Sequence, residues 1–405
     1  MLKNFRKIFI FSLPVLFFIL MFRDLIKNRS IKIINEIYFQ LPLLLNSKKI
    51  CNNYQDLLKK SLNYTYSATI INDKGIIIGS YNDNKPRIPA SNLKLLSTAY
   101  TLNKYKVTDK LNTSIYKDKL NNYYLIGSGD PDLSLYEIKK LINKINYDKL
   151  SQFNIVEIGS DTKWPVGWTE FDKLYMYGSP ITSLAINSNQ SRSIDIFYIK
   201  RIIENHIKNN YPLNNIEVSI LEYNNNIKKN LKLIYEIPSN PILSLITLAN
   251  SESHNFTAEV LFKNASKSWN YEKYEDIKLW LRRIGLPVND ISIKDASGLS
   301  RNNRLTTNLI ALFLHKMRFS KNFEFYNSSL SIISKRGTLS NKMKNSSVSG
   351  RFFGKTGTLS NVFALSGYLY KDNEVLSISI IQNSENVDIN IFFKLLDDIY
   401  KLKKC

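Results

Sequence analysis

The chain has 405 residues, 44% hydrophobic and 22% charged, and at roughly 150 residues per domain that is two or three domains with enough apolar surface for a core. Such a balance excludes a disordered chain, a coiled-coil rod and a polytopic membrane protein. Lys+Arg 56 against Asp+Glu 34 gives a net charge of +22, which favours anionic surroundings. Lys, Asn and Ile are abundant in every segment, however, and no zinc-knuckle, helix-turn-helix or aromatic RNA-binding signature accompanies the charge, so nucleic acid is not an expected partner.

At the start of the chain Lys3, Arg6 and Lys7 precede an apolar run from Ile8 to Phe22, the layout of an export signal. At ~1.5 Å per helical residue the run covers about 22 Å, short of the ~30 Å hydrocarbon core. No small-x-small site follows it, so residues 1–30 read either as a signal peptide or as a short membrane anchor, with tethering through residues 8–22. The two cysteines, Cys51 and Cys405, are too few for a disulfide framework and leave either redox compartment open. His206, His254 and His315 form no metal-ligand spacing.

From Gln55 a short helix is expected, then two β-rich runs, Tyr66 to Asn72 and Gly75 to Tyr81, joined by a tight hairpin at Asp73-Lys74-Gly75. Pro86 and Pro89 lead into Ala90 to Tyr100, where Leu93, Leu96 and Tyr100 recur at helical spacing. Ser91 therefore falls in the first turn of a helix with a buried face, beside free backbone donors and the positive end of the dipole. Lys94, three residues on, shares its face. A lysine amine there takes the serine proton once burial lowers its ordinary pKa of about 10.4, which makes an activated nucleophile. Ser114-x-x-Lys117 and Ser160-x-x-Lys163 repeat the spacing, but neither opens a helix with an apolar face.

Two further elements bear on the chemistry. Ser253-His254-Asn255 sits between apolar helical runs at Ile242 to Leu248 and Phe256 to Phe262, so that a hydroxyl and a carboxamide share a loop where they can move a proton and hold an amide. Ser61-Leu62-Asn63 and Ser300-Arg301-Asn302 match the same short pattern. Lys355-Thr356-Gly357 occurs once and opens a strand-like run from Thr358 to Tyr370, with a turn at Lys371-Asp372-Asn373 and a partner strand from Val375 to Gln382. A cation, a hydroxyl and a residue without Cβ suit a carboxylate-bearing ligand lying against the backbone.

Ser-x-x-Lys, Ser-x-Asn and Lys-Thr-Gly, in that order, are the set of penicillin-binding proteins and active-site serine β-lactamases. The details resemble one branch, the class C low-molecular-mass penicillin-binding proteins, or D-alanyl-D-alanine carboxypeptidase/endopeptidase family. Pro89 to Leu95 looks like its nucleophile segment and Gly127-Ser128-Gly129-Asp130-Pro131-Asp132-Leu133 like its Gly-rich signature. Gly167-Trp168, Tyr175, Tyr177, Gly178-Ser179-Pro180, Asp295 to Arg301, and Lys355 to Leu359 running on to Ala364 to Tyr368 also match. The likeness spans roughly residues 55 to 400. Two positions depart from the family pattern: His254 stands where an acidic residue is usual, and Ala296 replaces a glycine, which a turn without positive φ tolerates.

The resemblance implies an α/β (α+β) fold, a serine β-lactamase/DD-peptidase-like domain with an antiparallel sheet flanked by helices. That domain is expected over residues 52–110 and 239–405, closed by a helix at Val387 to Leu402, with an accessory domain inserted at 111–238. It further implies that Ser91 attacks the carbonyl of a terminal D-Ala-D-Ala bond with Lys94 as base. Ser253 passes the proton to the leaving amine, Asn255 binds the substrate amide and steadies Lys94, and Lys355 with Thr356 holds the terminal carboxylate. The N–H groups of Ser91 and Thr358 form the oxyanion hole beside Gly357. No metal or organic cofactor is implied; the partners are peptidoglycan stem peptides and β-lactam inhibitors, and the location is the periplasm. A β-lactamase and a non-catalytic wall-binding protein are the alternatives on the same fold. Asp295 and Arg301 are expected to orient loops, Trp168, Tyr175 and Tyr177 to pack in the core, with a stacking surface for glycan rings as their alternative, and His254 to lie exposed beside the site.

Overall fold

The computed structural model describes residues 31, 33–40, 48–157, 163–191, 195–212, 216–222, 227–267, 269 and 271–405. The expected export segment at 1–30 and the Ser160 spacing lie outside them. No helix among the described residues is long and apolar enough to cross a membrane.

Among the described residues, eleven strands form two sheets. In chain order they are β1 (Tyr66–Ile71), β2 (Ile77–Tyr81), β3 (Lys110–Lys117), β4 (Tyr123–Ile126), β5 (Gln152–Glu157), β6 (Glu217–Glu222), β7 (Lys232–Pro241), β8 (Ser331–Ile332), β9 (Phe352–Leu359), β10 (Val362–Lys371) and β11 (Glu374–Asn383). The first sheet runs β2-β1-β11-β10-β9-β8 and the second β6-β5-β4-β3-β7. Every pairing in the first sheet is antiparallel. In the second, β4, β5 and β6 are parallel and β3 is antiparallel to both β4 and β7.

The central strands of the first sheet are buried on both faces, β10 from Val362 to Leu369 without a break. Such strands carry apolar runs rather than alternation. One face packs on the helices Lys94–Lys104, Ile242–Ser251, Asn255–Ala265, Glu275–Arg283 and Thr307–Met317, where Leu96, Phe262, Trp280 and Phe313 meet in one cluster. The other face is covered by the helices Asn52–Ser61 and Ile389–Lys401, through Tyr54, Leu58, Phe392 and Leu396. The second sheet has its own core around Leu125, Ile138, Phe153 and Ile203, buried by the helices Leu135–Ile142 and Ile196–Asn210.

Two sequence expectations are corrected by this architecture. Lys355-Thr356-Gly357 does not open the strand-like run that follows; it lies inside β9, and the run from Thr358 to Tyr370 is folded back between Leu359 and Val362. Asn361 takes a left-handed φ of 66° there, as asparagine tolerates at a two-residue hairpin turn. The cysteines, expected to be uninformative, form a disulfide between Cys51 and Cys405, joining the entry to the first helix of this region to the chain's last residue.

Candidate active site

Ser91 lies in a 3-10 turn, Ala90–Leu93, that runs directly into the helix Lys94–Lys104. Ala90 before it has φ of 47°, a left-handed conformation costing a non-glycine residue about 1–3 kcal/mol. The surrounding contacts hold that turn in place. The buried Asn92 amide donates to Ser366 Oγ on β10 at 2.8 Å, and Ser366 pairs with Lys355 across the sheet. The turn is thereby tied to the part of β9 and β10 that carries Lys355.

Two glycines close on the turn. A Cβ on Gly298, whose φ is 83°, would meet Ala90 O at 1.9 Å, and one on Gly357 would meet Ser91 N at 2.9 Å. Any side chain at either position would push the serine turn away. The space left by the missing Cβ of Gly357 is thus filled by the serine segment itself. Ala296 is tolerated two residues before Gly298 because it is absent from the left-handed positions.

Lys94 is fully buried, whereas Ser91 stays half-exposed. The Lys94 amine donates to Ser91 Oγ at 3.0 Å, to Asn255 Oδ1 at 2.6 Å and to the Ser297 carbonyl at 2.7 Å. Burial drives its pKa from 10.5 down to about 7, against the opposing pull of the Asp295 and Glu259 carboxylates. A neutral amine beside a hydroxyl at hydrogen-bond distance is a general base for that hydroxyl.

Ser253-His254-Asn255 joins the helices Ile242–Ser251 and Asn255–Ala265. Ser253 has φ of 64° and is half-buried. The Asn255 side chain links the serine helix to the 3-10 turn Met176–Gly178, accepting from Lys94 and donating to the Tyr177 carbonyl at 2.9 Å. His254 is not the exposed neighbour expected. It is half-buried as the N-cap of its helix, with Nδ1 2.7 Å from Thr257 Oγ1 and Nε2 3.3 Å from Gln190. Burial and the Lys94 charge lower its pKa to about 4, so near neutral pH it carries no charge into the loop.

Lys355 is also fully buried, and its amine donates to the Thr356 carbonyl at 2.9 Å. Burial lowers its pKa well below the usual range, the Lys94 charge adds to that, and Glu252 opposes it. Two lysines from sequence positions far apart thus share one field. Thr356 Oγ1 donates to Thr338 Oγ1 at 2.8 Å, which in turn lies 3.1 Å from Ser331 Oγ.

Asp295 and Arg301 orient loops. The buried Asp295 accepts from Gly298 N, Ser300 N, Asn303 Nδ2 and Trp168 Nε1 at 2.7–3.0 Å, which fixes the turn that presents the Ser297 carbonyl. Arg301 pairs with Asp172 at 2.5 Å. Trp168 is core, as expected. Tyr175 and Tyr177 are not: they are 47% and 45% exposed and stack on each other with ring centroids 5.4 Å apart. Aromatic residue type alone does not separate a buried ring from an exposed pair.

The fold built here is that of penicillin-binding proteins. The chain superposes on the structure of penicillin-binding protein 4 from Haemophilus influenzae with a TM-score of 0.68 and 17% identity, over 87% of this chain and 99% of that one. The same Haemophilus protein is known in complex with a β-lactam. A predatory endopeptidase from Bdellovibrio bacteriovorus in complex with an immunity protein gives a TM-score of 0.50 at 15% identity, over 82% and 90% of the two chains. A D-alanyl-D-alanine carboxypeptidase from Actinomadura sp. (strain R39) is 31% identical over 111 residues, which is 26% of this chain and 21% of that relative's length. The model of the D-Ala-D-Ala carboxypeptidase 3 (S13) family matches residues 55–195 and 197–392. The chain belongs to that family.

Proposed function

We propose that the protein is a serine-type D-alanyl-D-alanine carboxypeptidase/endopeptidase that cleaves peptidoglycan stem peptides through an acyl-enzyme on Ser91 and binds penicillin covalently. The observation that carries this reading is a buried Lys94 amine, its pKa brought to about 7, 3.0 Å from the Ser91 hydroxyl. Membership in the S13 family supports it independently of the geometry.

In this mechanism neutral Lys94 takes the Ser91 proton as Oγ attacks the carbonyl carbon of the D-Ala-D-Ala bond. The N–H groups of Ser91 and Thr358 stabilise the tetrahedral oxyanion, a contribution of about 3–4 kcal/mol per donor in comparable sites. Ser253 delivers a proton to the departing amine, Asn255 orients Lys94 and the substrate amide, and Lys355 with Thr356 receives the terminal carboxylate. That carboxylate restores the charged form of Lys355, which burial disfavours in its absence. Water then hydrolyses the ester. Side chains and backbone supply every step without a metal or organic cofactor.

The organisation that suits this function is a peptidase domain at residues 52–110 and 239–405 with an accessory domain at 111–238, exported to the periplasm by residues 1–30. The Cys51–Cys405 disulfide supports an oxidising compartment. Incubation with a D-Ala-D-Ala-terminated pentapeptide tests the activity: release of D-alanine by the wild type and its loss in Ser91→Ala are expected. Rapid turnover of benzylpenicillin, with no D-alanine released, would make the protein a β-lactamase instead.

A further inference from the structure

Glu259 is a fully buried carboxylate on the helix Asn255–Ala265 that the mechanism above does not use as a reacting group. It sits one helical turn past Asn255 and one turn before Lys263, a second buried charge on the same helix. Its Oε1 accepts from Ala296 N at 2.9 Å and Ser297 N at 2.8 Å, and its Oε2 from the Tyr274 hydroxyl at 2.7 Å. The carbonyl of that same Ser297 accepts from the Lys94 amine at 2.7 Å. A continuous path therefore runs from the Glu259 carboxylate through one residue's backbone to the amine beside Ser91.

We propose that Glu259 is a positioning residue of the reaction: by gripping the Ala296 and Ser297 N–H groups it seats the residue whose carbonyl accepts from Lys94, and it sets a carboxylate charge against that amine. This rests on the reading of Lys94 as the base for Ser91. The geometry separates the roles of the two nearby acids. Asp295 bonds the N–H groups of Gly298 and Ser300; the Gly298 N–H shares a peptide plane with the Ser297 carbonyl, so Asp295 sets the direction of that carbonyl. Glu259 bonds the two N–H groups that precede the carbonyl and fixes where Ala296 and Ser297 sit. A buried carboxylate in this place is costly, and three donors converging on it offset part of that cost. Phe256, Val260 and Phe262 beside it are apolar, and the buried Lys263 one turn on is the cation nearest it on the helix.

The charged and titratable groups around the pair enter the prediction together. Asp295, Lys263 and Tyr274 face Glu259, whose pKa is pushed up to about 7 by burial and Asp295 and pulled down by Tyr274, Ser297 and Lys263. Lys94 feels Asp295 and Glu259, and its charge in turn reaches Lys355 and His254. Two negative groups favour the ammonium form of Lys94; removing one lowers the pH at which the amine becomes free.

The test is the rate of covalent labelling by a fluorescent penicillin across pH 5 to 9 on the full chain, with thermal melting measured on the same samples. Glu259→Gln keeps an oxygen for the two N–H groups and removes the charge; its labelling midpoint is expected to fall below the wild type's, because the fraction of Glu259 that is ionised near pH 7 no longer favours the ammonium form. Glu259→Asp keeps the charge on a side chain one methylene shorter; its midpoint is expected to stay within a few tenths of the wild type while the plateau rate drops about tenfold, as for a misplaced base. A merely structural role lowers melting in both and leaves both midpoints where the wild type has its own. That result, or wild-type midpoint and plateau in Glu259→Gln, overturns the inference. Failure of the underlying reading looks different: the wild type does not label, or Ser91→Ala still does.

Discussion

If Lys94 is the base, the pH dependence of acylation follows from its burial. A lysine with its ordinary pKa of 10.5 is neutral in about one molecule in 3000 at pH 7. With a pKa of about 7, half of the molecules hold the free amine. Burial is the larger effect and the Asp295 and Glu259 carboxylates oppose it, so the fold trades part of the desolvation for an amine that is both free and basic. The gain is about three orders of magnitude in competent enzyme, or about 4 kcal/mol of barrier. The sign is definite: a base with a lowered pKa is protonated and inactive below it, so labelling should rise tenfold per pH unit up to about pH 7 and level off above. The perturbation is Lys94→Arg, whose guanidinium stays charged throughout; labelling should fall at least a thousandfold at every pH. The assay is the second-order rate constant for fluorescent penicillin between pH 5 and 9. A wild-type midpoint above pH 9, or Lys94→Arg retaining a tenth of the rate, would refute the assignment.

Three further outcomes follow from the same contacts. Lys355→Ala removes the cation offered to the terminal carboxylate and should reduce kcat/KM for a D-Ala-D-Ala peptide by about 10- to 100-fold, the range of one charge-assisted hydrogen bond, with KM carrying much of the change. Gly298→Ala sets a Cβ 1.9 Å from Ala90 O at a φ of 83°; it should lower the melting temperature and cut penicillin labelling more than tenfold although no reacting group is touched. The Cys51–Cys405 bond closes a loop with a sequence separation of 354, so Cys405→Ser, or reduction of the native protein, should reduce unfolding free energy by about 2–5 kcal/mol in urea titrations. Equal midpoints for oxidised and reduced protein would show that the bond contributes nothing.

How far the sequence led depends on the range of each interaction. Ser91 and Lys94 were legible because they lie one helical turn apart, where spacing alone makes them neighbours. Their meeting with Asn255 and Lys355 was not a property of spacing; it came through the resemblance, since only folding brings β9 and the loop after Ser251 against the serine turn. Glu259 was missed, and its one local sign is an acidic residue inside the apolar stretch Phe256 to Phe262, which periodicity treats as an interruption. The turn at Asn361 was hidden because a two-residue hairpin leaves little composition to read, and Ser366-Gly367 interrupts the same β-rich run without turning it. The exposure of Tyr175 and Tyr177 and the pairing of Cys51 with Cys405 are set by surfaces distant in the chain, and no local pattern reports either.

The central claim, that Ser91 is the acylated nucleophile, is tested most directly by mass spectrometry of the penicillin-treated protein. The account predicts one adduct, localised by proteolysis to the peptide bearing Ser91, and none on Ser91→Ala. An adduct on Ser253 or any other residue, or one that survives in Ser91→Ala, would contradict it.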